Sequence, residues 1–478
     1  MSKSKKGQVY SDVEILSAAS EGMSIARIEN KVVFVPFVVP GDVVDIRIVK
    51  SKNSYAEGRA IAIKHYSDRR VEAQCPHFGV CGGCKWQTLN YADQLEAKQR
   101  QVLDNLQRIG KIDTSSARPI CGSDNIFHYR NKLEFTFSNR RWMTTEEISD
   151  PNFTPQPNAL GLHIPGLYDK VLDIQYCALQ DDLSNDIRNR IRQYAMEKGL
   201  EFYDIRTHAG FLRNIVIRNT QGGEWMLIVI VAKDDNALLF PLLDFIKREF
   251  PQITSLQYII NEKLNDSYND LEVVRYSGSP HITEEMTAYS DGDAPLKFRI
   301  SPQSFYQTNS PQARNLYGFV ADFAHLHGTE TVYDLYTGTG TIACFLAKHC
   351  SKTIGIEYVE DAVADARVNA AINGLDNTAF YAGDMAAILT PDFIAKNGTP
   401  DVVVTDPPRA GMHEKVVSQL LATMPQKIVY VSCNPATQAR DVALLAEKYE
   451  VKAIQPVDMF PHTQHVENVM LLERKKEL

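Results

Sequence analysis

The stretch "DLYTGTGTIA", Asp334 to Ala343, places Gly338 and Gly340 between two apolar runs, and its reading decides the fold. "TVYDLY" before it reads as a buried strand and "TIACFLAKHC" after it as a helix, so the glycines fall in a strand-to-helix turn. There the missing side chains let a ligand approach the backbone and the helix N-terminus. Outward from this turn the alternation continues: "TIGIEYV", then "EDAVADARVNAAING", then the strands "TAFYAGD", "PDVVVTD" and "KIVYVSC". Strands alternating with helices predict an α/β fold with a doubly wound parallel sheet over residues 293–478. The ending, "KAIQPVDMF" then "HVENVMLLER", predicts two strands joined by a short turn, an antiparallel hairpin closing one edge.

At 478 residues the chain is too long for one core, which predicts two or three domains. From Gln8 to Ile63 short alternating runs such as "KVVFVPFVVPGDVVDIRIVKSK" are broken by Pro-Gly-Asp and polar turns, the pattern of a small OB-like β-barrel over residues 1–68. A cysteine- and glycine-rich segment follows, and then "YADQLEAKQRQVLDNLQRIGKI", a helix that can pack on the C-terminal part. The rest of the middle part, 69–292, mixes β runs such as "WMLIVIVAK" with one helix, Asp182 to Lys198, and reads as α+β.

The formal charge of -8 argues against a uniformly basic nucleic-acid coat and leaves room for a local basic face. The opening "MSKSKK" reads as a solvated, disordered tail. No apolar run approaches the roughly 20 residues of a membrane span, and no apolar signal core opens the chain, which predicts a cytoplasmic protein without membrane contact. In that compartment the eight cysteines point to metal or catalysis rather than to structural disulfides.

With Ala343 the glycine turn matches the loose fingerprint G-x-G-x-x-A, shared by NAD-binding and S-adenosylmethionine (SAM)-binding folds. Glu357 ends the next strand, where a carboxylate can accept from ribose hydroxyls, and Asp384 ends the third, a position suited to an adenine contact. The fourth strand ends in "DPPRAG" and the fifth in "SCNP". Hydride transfer needs no thiol at that edge, whereas methylation of a pyrimidine carbon does. Uracil C5 is a weak nucleophile until a thiolate adds to C6 and makes the ring an enolate, so Cys433 is the candidate nucleophile. Asn434-Pro435 would fix the turn that holds it out of the core. Arg409 stands where amino-methylating enzymes carry a stacking aromatic, and Pro407-Pro408 where cytosine C5 enzymes carry Pro-Cys, which favours uracil.

In chain order, "VVFVPFVVPGD", "CPHFGVCGGCKWQ", "YRNKLEF", "SPQSFYQTN", "DLYTGTGT", "DPPRAG", "YVSCNPAT" and "HVEN" resemble the SAM-dependent RNA uracil-5-methyltransferase family, in its iron-sulfur 23S rRNA branch. The resemblance implies a TRAM module at the N-terminus. It implies SAM contacts from Gln303, Tyr336, Glu357 and Asp406, with Asp384 in a position where relatives carry Asn. Cys433 would be the nucleophile and Glu467 the base that removes the C5 proton. "DLYTGTGT" departs from the commoner Phe-Cys-Gly yet lacks no necessary chemical group. Cys75, Cys81 and Cys84 have C-x5-C-x2-C spacing and Cys177 in "IQYCAL" offers a fourth thiolate, a set that suits zinc or an iron-sulfur cluster; the resemblance favours 4Fe-4S. Cys121, Cys344 and Cys350 are read as buried or incidental. Arg130 and Lys132 in "YRNKLEF" are candidate RNA contacts, and Phe305 and Tyr306 candidates for stacking an extruded base. The expected enzyme is a monomer acting on 23S rRNA, with tRNA as the alternative substrate. Rivals are a Rossmann oxidoreductase, resting only on the glycine fingerprint, and a noncatalytic RNA-binding assembly factor, resting on the TRAM module.

Overall fold

Alternate residues of the first five strands share one small core, and the strands close around it. They are β1 (Val9–Ala18), β2 (Met23–Ile28), β3 (Lys31–Pro36), β4 (Val43–Ser51) and β5 (Tyr55–His65), in barrel order β1-β2-β3-β5-β4 with β4 paired back onto β1. Ile15, Ala26, Val33, Val35, Val44 and Ile46 fill the barrel, as strand alternation requires. The structure is a computed structural model that describes residues 6–290 and 292–476; the expected tail "MSKSKK", apart from Lys6, lies outside the described residues.

Helix α1 (Tyr91–Gly110) follows the cysteine-rich segment and starts at Asn90, whose side chain accepts from the Asp93 amide. The middle of the chain forms an eight-stranded sheet of β6 (Lys132–Ser138), β7 (Arg141–Trp142), β8 (Ala159–His163), β9 (Val171–Asp173), β10 (Leu212–Asn219), β11 (Trp225–Val231), β12 (Ile253–Ile260) and β13 (Val274–Gly278). Its order is β13-β12-β11-β10-β6-β8-β9-β7. One helix is expected here, yet three occur among the described residues: α2 (Thr145–Ser149), α3 (Asp182–Glu197) and α4 (Asn236–Glu249). Pro241, a helix breaker by propensity, conceals α4 in the sequence. Tertiary packing overrides it, because Leu239, Leu242, Leu243 and Ile246 seal one face of α4 in the core, and Asp235 caps the amides of Ala237 and Leu238.

A two-stranded ribbon, β14 (Ile282–Met286) and β15 (Leu296–Ile300), straddles the expected boundary at 292/293 and leads into α5 (Ser310–Ala324). The doubly wound sheet then contains β16 (Thr331–Leu335), β17 (Lys352–Glu357), β18 (Thr378–Ala382), β19 (Val402–Thr405), β20 (Lys427–Ser432), β21 (Tyr449–Val457) and β22 (Glu467–Arg474). The order is β18-β17-β16-β19-β20-β22-β21, parallel through β20 and antiparallel for the last two. Around it lie α6 (Thr341–Ala347), α7 (Glu360–Ile372), α8 (Met385–Ile388), α9 (Pro391–Asn397), α10 (Glu414–Thr423) and α11 (Pro435–Leu445). The terminal hairpin does not have the short turn expected of it. Residues 458–466 make a longer excursion, with Asp458, Met459 and His462 buried, before β22 inserts between β20 and β21.

Two packing facts fix the seam beside the carboxyl edge. Val216, Met226, Ile228 and Ile230 of the middle sheet share one core with Phe298, Leu316, Val320, Val404 and Val431. Val102 and Leu106 of α1 are buried with Tyr333, Tyr430 and Val442 of the C-terminal part. Among the described residues no helix is long and apolar enough to cross a membrane.

Candidate active site

Glycine is favoured at two positions of the first turn and required at the second. Gly338 has φ +55 and a Cβ there would meet nothing, so the space beside it is open; Gly340 has φ +77 and a Cβ would lie 2.8 Å from the Ala366 methyl. Tyr336, just before them, has φ +63, a left-handed conformation that a bulky side chain rarely adopts and that costs about 1–3 kcal/mol. Glu357, at the end of the adjacent strand, accepts from Gly338 N at 3.1 Å and Val359 N at 3.0 Å, which ties the second turn to the first. Each of its oxygens keeps a lone pair for a ribose hydroxyl. We expect Glu357→Ala to weaken SAM binding by about 1–3 kcal/mol, measured by calorimetry on folded protein; unchanged affinity would remove Glu357 from the site.

The sheet brings Cys433, Glu467 and Asp406 together. Ser432 pairs with Asn468 across β20 and β22, so the next step of the register sets Cys433 opposite Glu467. Thr405 of β19 pairs with Tyr430 of β20, which puts Asp406 beside them at the same edge. The turn at Cys433 is built from its neighbours: Asn434 N donates to Ser432 Oγ at 3.1 Å, Asn434 caps α11 through the Ala436 amide, and Pro435 takes the first helical turn. Asn434 Nδ2 also donates to Arg409 O at 3.0 Å, joining the two motif loops.

This edge is rich in acids, and its protonation follows. Burial pushes the Asp406 carboxyl up to about 7, with the charge of Asp334 adding to it. Burial and then Asp406 raise Glu467 well above the ordinary carboxylate range, against the opposing pull of Arg409. Burial, Glu467 and Asp406 push the Cys433 thiol up to about 11, and Arg409 is the cation that counters them. Arg409 Nη2 lies 2.8 Å from His465 Nδ1. Burial and the nearby cations push His465 down to about 4, so its neutral ring offers a lone pair to that guanidinium.

Other expected residues are placed less simply. Gln303 donates both amide hydrogens to the carbonyls of Tyr268 and Leu271, at 2.8 and 2.9 Å, leaving its oxygen for a ligand. Asp384 is exposed and caps α8 through the Ala387 amide, a role that accounts for the residue type by itself. Arg130 Nε donates to Lys132 O at 3.0 Å, and burial beside Arg218 pushes the Lys132 ammonium down to about 8. Both are half-buried at the seam, where Asn131 Nδ2 donates to Gln307 O. Phe305 is 67% exposed and remains free to stack on a base, whereas Tyr306, at 6%, is core. Cys344 and Cys350 are buried in the C-terminal core and Cys121 packs against it.

Sequence reasoning passed over three features. Gln307 is half-buried at the seam, where its backbone oxygen accepts from Asn131 Nδ2 at 3.0 Å. Asp334 is fully buried, accepts from the Ala343 amide at 3.1 Å and has Oδ1 unpartnered among the described residues. Burial pushes its carboxyl up to about 7. The third, the Arg409–His465 contact, joins residues too far apart in sequence for any local pattern to pair them.

Four thiols converge at the other side of the seam. Gln87 holds two of their segments together, accepting from Cys75 N at 3.0 Å and donating to Cys84 Sγ at 3.2 Å. Cys75 Sγ is 3.8 Å from Tyr176 O, the carbonyl preceding Cys177. Cys84 and Cys177 pack with Tyr129 and Leu179. Burial pushes Cys75 to about 11 and Cys84 to about 12, and charge on Cys81 or Cys177 raises both further. Among the described residues no group of three or more His, Cys, Asp or Glu is arranged to hold a metal ion as it stands.

Comparison with known proteins adds three findings. Residues 281–475 match the family model described as tRNA (Uracil-5-)-methyltransferase, and residues 3–61 match the TRAM domain. An "uncharacterized RNA methyltransferase" of Bacteroides thetaiotaomicron is 56% identical over 458 residues, covering 95% of this chain and 99% of its own, and one from Porphyromonas gingivalis is 51% identical over 97% of this chain and 100% of its own. The crystal structure of Pyrococcus abyssi tRNA (uracil-54, C5)-methyltransferase with S-adenosyl-L-homocysteine superposes with a TM-score of 0.73 at 28% identity, covering 96% of this chain and 100% of its own.

Proposed function

The chain belongs to the SAM-dependent RNA uracil-5-methyltransferase family, and from that premise we propose that it methylates C5 of a uridine in 23S rRNA through a covalent adduct between Cys433 and C6. The observation that carries the reading is the register placing Cys433 opposite Glu467 at one sheet edge, beside Asp406 and the glycine turn. The thiolate pair forms the S–C6 bond, and the C5–C6 π pair moves into an enolate. C5 then takes the methyl group from the sulfonium, releasing neutral S-adenosylhomocysteine. Glu467 removes the remaining C5 proton, and that C–H pair restores C5=C6 as the thiolate leaves. Gln303, Tyr336, Gly338, Glu357, Asp384 and Asp406 form the cofactor side, and Arg130 and Lys132 meet the RNA. The three-part division at 68/69 and 292/293 and a cytoplasmic monomer belong to the same reading.

A second reading, tRNA as substrate, is favoured by the structural likeness to the tRNA (uracil-54) enzyme. Mapping 5-methyluridine in rRNA and tRNA from cells with and without the protein decides between them. Loss confined to tRNA would overturn the rRNA assignment, and no loss in either would overturn the function.

We propose that Cys75, Cys81, Cys84 and Cys177 hold a 4Fe-4S cluster that ties the two cysteine segments together. Burial and the neighbouring thiols raise the proton affinities of Cys75, Cys81 and Cys84, an unfavourable arrangement until a metal displaces their protons. A four-iron cube also separates its thiolates more widely than a single zinc ion does. Anaerobically purified protein is expected to be brown and to contain iron; colourless protein with a single zinc would overturn this.

A further inference from the structure

Loop 458–466, which carries His465 and leads into Glu467, is held residue by residue from several other parts of the chain. Asn309 Nδ2 donates to Met459 O, Lys98 Nζ to Phe460 O and the Tyr129 hydroxyl to Pro461 O, each at 3.0 Å. The amides of Lys85 and Trp86 donate to His462 O at 2.8 and 3.1 Å, and Gln94 Oε1 accepts from His462 N at 2.9 Å. At the root of the loop Lys98 Nζ stands 2.6 Å from Asp458 Oδ1, with both side chains fully buried. Asp458 Oδ1 also accepts from Phe460 N, and Oδ2 from the Tyr91 hydroxyl, at 3.0 Å each.

A buried ion pair is a poor source of stability, because removing both charges from water offsets most of their attraction, and apolar residues of similar shape often do as well or better. Direction is what this pair adds. Lys98 binds the carbonyl of Phe460 and Asp458 its amide, so the two charges grip both sides of one loop residue. An apolar pair would fill the volume and remove both of these bonds, leaving the Phe460 backbone held only through its carbonyl, by the amide and hydroxyl of Thr463 at 3.2 and 2.8 Å.

We propose that Lys98 and Asp458 are a positioning pair for Glu467, fixing the loop so that its carboxyl meets C5 after methyl transfer and thereby speeding elimination rather than cofactor binding. The proposal rests on Glu467 being the base. A base displaced by about 1 Å can lose on the order of 100-fold in rate.

The test uses the full chain with Lys98→Met, the double variant Lys98→Met/Asp458→Asn, and Glu467→Gln alongside. Appearance of a denaturant-stable RNA adduct is followed in a single turnover, together with its decay to methylated RNA, SAM affinity and the thermal midpoint. Lys98→Met is expected to slow decay about 10- to 100-fold while adduct appearance and SAM affinity stay near wild type. The double variant, with no charge left uncompensated, is expected to recover the midpoint but not the decay rate; it carries the test if Lys98→Met fails to fold. Appearance and decay slowed alike, or decay restored together with the midpoint, would make the pair merely structural and overturn the proposal. Normal decay in Lys98→Met beside a stalled Glu467→Gln overturns this proposal alone, whereas normal decay in Glu467→Gln overturns the base assignment and this with it.

Discussion

Cys433→Ala is expected to form no denaturant-stable complex with RNA and to lose methyl transfer by about 10⁴-fold or more, the scale seen when a catalytic nucleophile is removed. Without addition at C6 the ring never becomes an enolate, and C5 has no electron pair able to displace the methyl from the sulfonium. The protonation of the free site gives the prediction a second handle. Burial and the neighbouring carboxyls push the thiol up to about 11, so the thiolate fraction near pH 7 is on the order of 10⁻⁴. Alkylation of Cys433 by iodoacetamide, read by peptide mass spectrometry, should therefore rise about tenfold per pH unit until pH approaches that value. Arg409 is the cation set against Glu467 and Asp406, and its place between the Cys433 turn and His465 lets it support the anion as it forms. An adduct formed by Cys433→Ala would remove Cys433 from the chemistry, and alkylation indifferent to pH would show a thiol already ionised and overturn the raised value.

What could be read from the sequence was whatever a local pattern encodes. Gly338 and Gly340 announce their turn because positive φ angles favour glycine, and at Gly340 a Cβ would also press on the Ala366 methyl. The strands ending at Glu357, Asp406 and Cys433 are apolar runs with abrupt polar ends, and a parallel sheet brings such ends to one edge. What stayed hidden depends on partners far away in the chain. Helix α4 holds despite Pro241 because the sheet seals its apolar face, a contact no window around Pro241 contains. The loop after β21 looks like a hairpin turn until Lys98, Gln94, Asn309 and Tyr129 are seen to hold it. Phe305 and Tyr306 are adjacent and chemically alike, and only burial separates the ring available to a base from the ring in the core. The same holds for Gln303, whose seam contacts with Tyr268 and Leu271 have no signature in "SPQSFYQTN".

Glu467→Gln separates the two halves of the reaction and is expected to move stability and turnover in opposite directions. The variant keeps Cys433 and the cofactor side, so it should add to RNA and accept a methyl group from labelled SAM. It then stalls with one proton left on C5, accumulating a methylated protein–RNA complex that survives denaturing electrophoresis, while multiple turnover falls by about 10²- to 10⁴-fold. The stability effect follows from the wild-type carboxyl, which burial and the charge of Asp406 raise well above its ordinary 4.5. A carboxyl with a raised folded value binds a proton in the native state that the unfolded chain has released. Native stability therefore falls as pH rises from about 4.5 toward that raised value. Glutamine needs no proton, so the variant should unfold at a higher temperature than wild type at neutral pH, and the advantage should vanish below about pH 4.5, where both forms of the wild-type chain are protonated. The same raised value means that the base form grows with pH, so wild-type turnover limited by elimination should climb with pH where that of the variant does not. Normal multiple turnover by Glu467→Gln would exclude it as the base, and a lower melting temperature at neutral pH would show that its burial is compensated by contacts the amide cannot make.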